Sequence, residues 1–454
     1  METYERLLSE TDPSPGPKQT SPPAPLLKER GESLPLILSE GGKKVCSPFP
    51  LGEGRAGVAT SWERQVGWSR GIGLLALCAL HFALCASPAS AVDTLRVTSP
   101  DPVLESWRWT AFDRGSGLAG PVRDIFEDRD GNIWFATDNG AQRYDGLRWT
   151  TYTTKDGLAH NQVRTVMQTR DGAIWFGTSD GGISRFDGKT WKTYTTADGL
   201  ASNSMHWRGL LQARDGTLWA GCISPGGLSD TTGTRGGISR FDPSTQLRAG
   251  GKTWTTINVP GGPPRPNIDD IHEARDGSIW FTTMVFGGAV TATTSGHGVL
   301  RFQNGRWTRY TAADGLEGNT ILELLESRDG SIWVASWDKG INRFDPSTGS
   351  GRGGRRWRTY TARDGLPEKV QFCSIWQAAD GTLWAGGGSG RLCRLDPSAG
   401  SGRGGERWYA YAPEEVPQLS GYVLSQTTRN GMVWFCGWGE ARASRFDPQG
   451  IWTV

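Results

Sequence analysis

Three arginines occupy the same position in successive repeats of the chain, seven residues before an Asp-Gly pair. They are Arg123, Arg164 and Arg208, and later repeats have other residue types at this position. A planar guanidinium presents paired N–H donors that fit carboxylate or phosphate oxygens. The spacing therefore indicates a candidate binding surface for a ligand with acidic groups, provided that the three positions meet in the fold.

Acidic and aromatic residues occur at the neighbouring positions of other repeats. Asp270 and Glu323 lie six residues before their Asp-Gly pairs. Aromatic rings lie eight residues before the repeated pair at Trp207, Phe372 and Tyr422, where they could stack on the face of a sugar. The alternative interpretation is that the charged residues only solvate a wet channel or pair with one another across it.

A repeated motif, Asp/Asn-Gly-x-aliphatic-Trp, supplies the elements that must position these residues. Successive copies are separated by 41 to 61 residues, a period typical of stacked supersecondary units. Residues present in every unit are expected to build the unit, so specific function is expected among the residues that vary. The repeated tryptophans are Trp134, Trp175, Trp219, Trp280, Trp333, Trp384 and Trp434.

One unit is especially clear in residues 157–194. Asp171-Gly172 predicts a tight hairpin turn, because both residues of such a turn adopt positive φ. Strand-like segments cover residues 163–167, 174–178, 183–187 and 191–194. Four antiparallel strands repeated around an axis form a β-propeller.

We therefore expect an all-β fold, a seven-bladed β-propeller of four-stranded antiparallel blades over residues 105–454. The first strand of each blade would line a central channel, and the loops that enter these strands would form the ligand rim. The repeated aromatic rings would pack between blades. The repeated Arg and Asp of the third strands would bond to each other or to turns.

Two segments compete for the closure of the ring. The segment Trp109-Thr110-Ala111-Phe112 resembles a fourth strand and precedes the first complete unit, so it could complete the last blade. Alternatively, Trp452 begins a continuation that this sequence does not contain.

Charge and composition favour neither a nucleic-acid partner nor a helical fold. The 454 residues include 49 basic and 47 acidic side chains, a formal charge of +2 that gives no reason to expect a polyanion. The chain has 64 glycines and 22 tryptophans, a composition typical of short strands joined by tight turns.

The N-terminal part differs in kind from the repeats. Residues 1–65 are rich in Pro, Ser and Gly, which predicts a disordered segment or a leader that results from a mis-assigned start. Residues 66–91 have the order of a secretory signal: a basic flank, an apolar run and a small-x-small site. We expect either a cleaved signal peptide or a membrane anchor through residues 71–92, and thus a periplasmic or secreted propeller.

Several other polar residues have a structural interpretation. Cysteines in the repeats show no metal-ligand spacing and are expected to be buried free thiols; they are Cys222, Cys373, Cys393 and Cys436. Three asparagines after Gly-Leu are expected to cap turns; they are Asn161, Asn203 and Asn319. His160 and His206 have no partner evident from the sequence and are expected to be ordinary surface or core residues.

The run Gly-Leu-x-x-Asn, Asp-Gly-x-Ile-Trp-Phe-Gly-Thr and Gly-Gly-Ile-x-Arg-Phe-Asp resembles the two-component regulator propeller repeat, best in residues 157–187 and 199–242. The resemblance implies a periplasmic sensor propeller, a class often joined to a membrane sensor kinase, some members of which bind oligosaccharides. Because this sequence contains no kinase segment, we expect a non-catalytic module that binds a small ligand and signals through a sensor kinase or another protein. A purely structural or protein-interaction propeller is the second hypothesis.

A weaker resemblance implies a third hypothesis. Residues 276–282, Asp-Gly-Ser-Ile-Trp-Phe-Thr, are similar to the repeats of streptogramin lyases, which use a His and acidic residues with a divalent metal. Here His272 and Glu273 lie near Asp269 and Asp270, a set whose oxygens could bind a hard cation. The sequence alone indicates no catalytic residue, cofactor or metal ligand beyond this resemblance.

Overall fold

The repeated Gly of each Asp-Gly or Asn-Gly pair adopts a backbone conformation that few other residues accept. Gly172 has φ 88° and Gly330 has φ 87°, and both positions have open space around them. Glycine reaches this region without steric cost, so the chain reverses there and pairs the strands on either side. The hairpin predicted from the motif is thus formed, but only the glycine of the pair has positive φ. Asp171 and Asp329 do not, so the turn is not of the type in which both residues adopt positive φ.

The computed structural model describes residues 101–225, 236–241, 253–261, 265–284, 297–318, 320–345, 357–397, 406–438 and 440–449. The predicted leader, signal or anchor segment, together with Asn319 and Trp452, lies outside these residues. Within them, no helix is long and apolar enough to cross a membrane.

The described strands form seven four-stranded antiparallel sheets, which confirms the predicted seven-bladed propeller. Blade 1 contains β2 (Val122–Glu127), β3 (Ile133–Thr137), β4 (Gly140–Tyr144) and β5 (Trp149–Tyr152). Blade 2 contains β6 (Val163–Gln168), β7 (Ile174–Thr178), β8 (Ile183–Phe186) and β9 (Trp191–Tyr194). Blade 3 contains β10 (Ser204–Gln212), β11 (Leu218–Ile223), β12 (Gly237–Phe241) and β13 (Trp254–Ile257).

The later blades repeat the same order of strands. Blade 4 contains β14 (Asn267–Glu273), β15 (Ile279–Met284), β16 (Val299–Gln303) and β17 (Arg306–Tyr310). Blade 5 contains β18 (Ile321–Glu326), β19 (Ile332–Ser336), β20 (Gly340–Phe344) and β21 (Trp357–Tyr360). Blade 6 contains β22 (Phe372–Gln377), β23 (Leu383–Gly387), β24 (Leu392–Asp396) and β25 (Arg407–Tyr411). Blade 7 contains β26 (Tyr422–Thr427), β27 (Val433–Trp438), β28 (Arg442–Phe446) and β1 (Trp109–Asp113).

The N-terminal strand closes the ring. β1 pairs antiparallel with β28, with Trp109 opposite Phe446 and Asp113 opposite Arg442. The first alternative for closure is therefore correct, and blade 7 contains strands from both ends of the propeller. This pairing gives blade 7 its fourth, outermost strand, as in the other blades.

Repeated aromatic rings fill the space between neighbouring blades, as predicted. Trp280 of blade 4 lies 5.5 Å from Phe344 of blade 5 between ring centroids, and Trp434 of blade 7 lies 5.5 Å from Phe135 of blade 1. Large rings bury the most apolar area per side chain, which suits wedge-shaped spaces between twisted sheets. The repeated tryptophans therefore build the fold.

The repeated Arg of the third strand bonds to the turn, also as predicted. Arg301 lies 2.6 Å from Asp276, and Arg343 lies 2.7 Å from Asp329. In each case the aspartate begins the Asp-Gly turn of the same blade. These exposed pairs fix turns and contribute little free energy individually.

Candidate ligand site in the central channel

The inner strands bring the candidate residues to the channel through a repeated irregularity. In six of the seven blades, the pairing of the first strand with the second is interrupted by a bulge. In blade 1, Val122 and Asp124 lie opposite the consecutive residues Thr137 and Ala136, so Arg123 is the additional residue of the bulge. A bulge re-aims side chains, and it explains why positions seven and six residues before the turn point to the channel.

Arg123 and Arg164 meet on one carboxylate. The Nε of Arg123 donates to Asp138 Oδ1 at 2.9 Å, and its Nη2 donates to Oδ2, while Nη1 of Arg164 lies 3.4 Å from Oδ1. Asp138 lies in the β3–β4 loop, whose backbone bonds to the segment that enters β2. We call the side of the propeller that carries these loops the loop face. Both arginines are nearly buried, at 5% and 9% exposure.

His206 joins this cluster, although its sequence context gave no partner. Its Nδ1 is hydrogen-bonded to Asp269 Oδ1, and its ring lies 4.5 Å from that of Trp207. Burial, together with the charges of Arg164 and Arg123, holds the pKa of His206 well below its usual value. Burial raises the pKa of Asp269 well above its usual value. The loop-face end of the channel therefore combines two guanidiniums, one shared carboxylate and a neutral imidazole.

Arg208 departs from the predicted arrangement. In blade 3, four residues, 206–209, stand opposite Gly221, between the pairs Met205–Cys222 and Leu210–Ala220. Arg208 adopts a positive φ of 36° within this enlarged bulge. Its guanidinium bonds to Glu323 of blade 5 and donates to the Ser425 carbonyl of blade 7 at 2.5 Å. Arg208 therefore has different partners from Arg123 and Arg164 and reaches across the channel, although Arg123 and Arg208 line the same small cavity.

The acidic residues at the six-residue position connect adjacent blades. Asp124 accepts from the Val166 amide at 3.1 Å, Asp270 accepts from the Leu324 amide at 2.8 Å, and Glu323 accepts from the Ile375 amide at 3.3 Å. Each carboxylate bonds to the inner strand of the next blade. Two of the predicted site residues, Asp270 and Glu323, thus belong to a structural pattern that Asp124 shares.

These three acids also share the field of Arg208. Burial raises the pKa of Asp124, that of Asp270 to about 7 and that of Glu323 to about 8, against the lowering effect of Arg208. Burial alone would lower the pKa of Arg208, but the charges of Glu323, Asp124 and Asp270 raise it. One guanidinium faces three carboxyl groups, and burial keeps a proton on part of this set near neutral pH.

The interior of the channel leaves almost no room for a ligand. The cavity beside Arg208 has a volume of about 10 Å³, lined among others by Trp207, Leu322 and Cys373. Such a space holds roughly one water molecule. This cavity is therefore too small for a sugar-sized ligand.

The predicted aromatic residues differ in their access to the loop-face mouth of the channel. Trp207 and Phe372 are buried, at 4% and 1% exposure, whereas Tyr422 is half-buried. The ring of Tyr422 stacks on Trp337 with centroids 5.0 Å apart, and its hydroxyl donates to Gln371 Oε1 at 2.8 Å. Trp337 lies just after β19, outside the positions that the repeat alignment sampled, so sequence reasoning missed it.

The smaller predictions can also be placed. The side chain of Asn161 accepts from the Thr154 amide at 2.9 Å, and that of Asn203 accepts from the Thr196 amide at 2.8 Å, so both cap turns. The four cysteines of the repeats are buried and free. His160 accepts from the Gln162 amide at 3.1 Å, a local contact.

The acidic cluster in β14 does not converge on one point. Asp269 bonds to His206, and Asp270 accepts from the Leu324 amide. His272 lies 3.9 Å from Glu326, while Glu273 accepts from the Arg214 amide at 2.7 Å. Among the described residues, no three His, Cys, Asp or Glu side chains are grouped to hold a metal ion. The metal set suggested by the lyase resemblance is therefore not assembled.

Comparison with known proteins supports the interpretation of the repeats. The sequence model of the family "Two component regulator propeller" matches residues 116–139 and 157–180. These two segments match the two-component regulator propeller repeat. The predicted resemblance is thus confirmed, and the second matched segment coincides with the unit that was clearest in the sequence. The search of curated protein sequences found no match.

Solved structures show the same fold at low identity. The extracellular domain of a protein described as a hybrid two component system from B. thetaiotaomicron is 18% identical with a TM-score of 0.57; the match covers 75% of this chain and 41% of that chain. Streptogramin B lyase is 16% identical with a TM-score of 0.51, covering 75% and 97%. PorZ, a surface component of the type-IX secretion system of Porphyromonas gingivalis, is 16% identical with a TM-score of 0.53, covering 72% and 46%.

These similarities establish the propeller architecture alone. The function has to be inferred from the residues of the candidate site. The first of these structures comes from a much longer domain, of which this chain spans less than half. Propellers with sensor, lyase and secretion roles share the fold, and a fold does not define an activity.

Proposed function

We propose that this chain is an exported, non-catalytic ligand-binding propeller of a two-component-type signalling system. Its ligand binds at the loop-face mouth of the channel. The observation that carries the proposal is the convergence of Arg123 and Arg164 on Asp138. These arginines do not recur in every blade, and the carboxylate that they share belongs to the β3–β4 loop. Concave mouths where loops converge are the usual binding sites of rigid scaffolds.

The family match and the chain's own residues support the same role. The matched repeats belong to a family named for two-component regulators. The signal-like segment at residues 66–91 supports a periplasmic or secreted location, with anchoring through residues 71–92 as the alternative. The partner would be a membrane sensor kinase or another signalling protein.

The chemistry of the mouth favours a small ligand with an acidic group, such as an acidic oligosaccharide. Arg123 and Arg164 already bind a carboxylate, that of Asp138, and a ligand carboxylate or sulfate would present similar oxygens to them. The half-buried rings of Tyr422 and Trp337 lie at the channel and offer apolar surface beside the polar groups. Arg208, Asp270 and Glu323 would support the site from within the channel.

A thermal-shift screen of the full chain tests the proposal. A panel of neutral and acidic oligosaccharides is added, and any ligand that raises the midpoint is measured by isothermal titration calorimetry. Replacing Arg123 and Arg164 together with Ala should weaken binding by about tenfold or more, since each loses charge-assisted hydrogen bonds. Arg185→Ala is the matched control, because Arg185 pairs with Asp171 in a turn away from the mouth.

The second hypothesis, a structural or protein-interaction propeller, predicts a different result. If no panel member binds, or if the double variant and Arg185→Ala bind equally well, the mouth is not the ligand site. No described contact specifically favours lyase chemistry over binding.

A further inference from the structure

A ring of arginines links the Asp-Gly and Asn-Gly turns of successive blades. The residue before each pair is Arg in six blades: Arg129, Arg170, Arg214, Arg275, Arg328 and Arg429. The Arg170 amide donates to Gln212 Oε1 at 2.7 Å, and its guanidinium donates to the carbonyls of Ala213 and Arg214, both at 2.9 Å. We call this set of bonds, from one turn to the next blade, the turn clasp.

The same clasp recurs around the ring. Arg129 donates to the Thr169 and Arg170 carbonyls, and Arg328 donates to the Ala378 and Ala379 carbonyls. Arg429 carries the pattern from blade 7 back to blade 1 through the Asp128 and Arg129 carbonyls. Each clasp holds two backbone carbonyls that would otherwise face solvent.

Blade 6 lacks the clasp. Ala379 stands where the other blades have Arg, so no guanidinium extends from this turn toward Thr428 and Arg429 of blade 7. The acceptor of the amide bond is also absent, because Thr427 occupies the position that Gln or Glu has in the other blades. Within the described residues, the turns of blades 6 and 7 are therefore not linked in this way.

An acidic side chain also links the outer parts of neighbouring blades. Between blades 6 and 7, this acidic residue comes from a different part of the chain than it does between blades 5 and 6. Between blades 5 and 6, Glu406 accepts from the Tyr360 hydroxyl and from Arg343 at 3.0 Å. Between blades 6 and 7, Asp101 takes the same role, accepting from the Tyr411 hydroxyl at 2.5 Å and pairing with Arg394 at 3.1 Å. Asp101 belongs to the segment that precedes β1.

This segment, residues 101–108, crosses the boundary as an N-terminal strap. Val103 is buried and packs in one cluster with Tyr411 of blade 6 and Phe446 of blade 7. Its carbonyl accepts from Trp109 Nε1 at 2.9 Å, and the Arg108 carbonyl accepts from the Asp447 amide at 2.9 Å. The strap is fixed to blade 7 and reaches blade 6 through Asp101.

We propose that the boundary between blades 6 and 7 is the seam of the ring, and that the N-terminal strap holds it closed. Displacing the strap removes the contacts that Asp101 makes with blade 6. Because no turn clasp links blades 6 and 7, their outer strands can then separate. The segment that follows residue 100 thereby controls a local opening of the propeller. This inference rests on the clasps and the strap and does not depend on the proposed ligand.

Hydrogen–deuterium exchange of the full chain, read by mass spectrometry, tests the seam. Asp101→Ala should speed exchange in the turns at residues 378–381 and 428–431 by about tenfold or more, because a charged hydrogen-bond acceptor is lost. Glu406→Ala is the matched control: it removes the equivalent acid at a boundary where the Arg328 clasp is intact. It should change exchange in its neighbouring turns by less than about threefold.

Restoring the missing clasp provides the reverse test in an otherwise natural chain. Ala379→Arg should slow exchange at residues 378–381 and 428–431, and it should suppress the effect of Asp101→Ala in the double variant. Equal acceleration by Asp101→Ala and Glu406→Ala would contradict the proposal, as would acceleration spread evenly over all seven turns. The proposal also fails if Ala379→Arg leaves seam exchange unchanged.

Discussion

The arginines of the turns and the arginines of the channel use the same side chain in opposite ways. Arg170 is exposed, recurs in most blades and donates to backbone carbonyls of the next blade. Arg208 occurs in one enlarged bulge, has a positive φ and crosses the channel to Glu323 and Ser425. The arginines that recur at the turns therefore link neighbouring blades. Arg208, which occurs in one blade only, gives the channel contacts that the other blades do not have.

The turns and the channel also differ in how much free energy their charged contacts contribute. The arginines at the Asp-Gly turns are exposed to water, which competes for their hydrogen bonds and screens their charges. The channel groups lie in a nearly dry space, where an unpaired charge is expensive and a protonation state shifts readily. Substitutions in the two regions should therefore differ in size and in pH dependence.

The largest effect is expected for Arg208→Met. Removing the guanidinium leaves Glu323, Asp270 and Asp124 facing one another without their shared counter-charge, which should lower the free energy of unfolding by roughly 3 kcal/mol. Urea denaturation followed by tryptophan fluorescence measures this loss. A loss no larger than that of Arg185→Ala would mean that the channel network contributes no more than a surface pair.

The next largest effect is expected in the pH dependence of the free energy of unfolding, which depends on the carboxyl groups of the channel and not on the turns. The folded-state pKa values of Asp270, about 7, and Glu323, about 8, lie above the ordinary carboxyl range. Their protonated forms stabilise the fold fully below the unfolded pKa, and this contribution is lost as pH rises through 7 and 8. Between pH 6.5 and 8.5 the free energy of unfolding should fall by on the order of 2 to 3 kcal/mol.

Glu323→Gln tests the origin of that slope. The amide does not titrate, so the fall in stability between pH 6.5 and 8.5 should become clearly shallower than in the natural chain. Urea midpoints at several pH values provide the measurement. If the slope is unchanged, the proton is held by other groups and the assignment to Glu323 is wrong.

A smaller effect is expected for one turn clasp. Arg170→Ala removes two guanidinium bonds, one to the exposed carbonyl of Arg214 and one to the part-buried carbonyl of Ala213, so the expected loss is about 1 kcal/mol. The loss should not change between pH 6.5 and 8.5. A pH-dependent loss would contradict the distinction between the arginines of the turns and the charged groups of the channel.

The smallest effect is expected for Arg185→Ala. Arg185 lies 2.8 Å from Asp171, an exposed partner, and such pairs contribute about 0.2–1 kcal/mol. Added salt at 0.5 M should reduce even this difference. A loss comparable to that of Arg170→Ala would show that turn pairs and turn clasps are equivalent.

The sequence predicted the blades because their construction is periodic. Asp-Gly turns and buried tryptophans follow from local rules that act in every unit. The closing strand at Trp109 was one of two alternatives that the sequence left open, and the structure decides between them. The channel followed these rules only in part. Counting back from the turn assumes a constant register, and this assumption holds for Arg123 and Arg164 but fails for Arg208.

A signal for the exception was present in the spacing. Gly199 and Asp215 are 16 residues apart, whereas Gly157 and Asp171 are 14 apart, so the inner strand of blade 3 has two additional residues. The resulting bulge places His206 against Asp269, which is 63 residues away in the chain. Such a pairing depends on the angle between blades, which no local pattern in one sequence specifies.

The most direct test of the central claim measures binding and stability on the same two variants. The double variant Arg123→Ala, Arg164→Ala and the single variant Arg170→Ala are titrated with the strongest ligand of the oligosaccharide panel and then unfolded in urea. We predict that the mouth variant loses binding by about tenfold or more, and that Arg170→Ala, once folded, binds like the natural chain. Equal loss of binding in both variants, or none in the mouth variant, would contradict the division between residues that build the propeller and residues that bind its ligand.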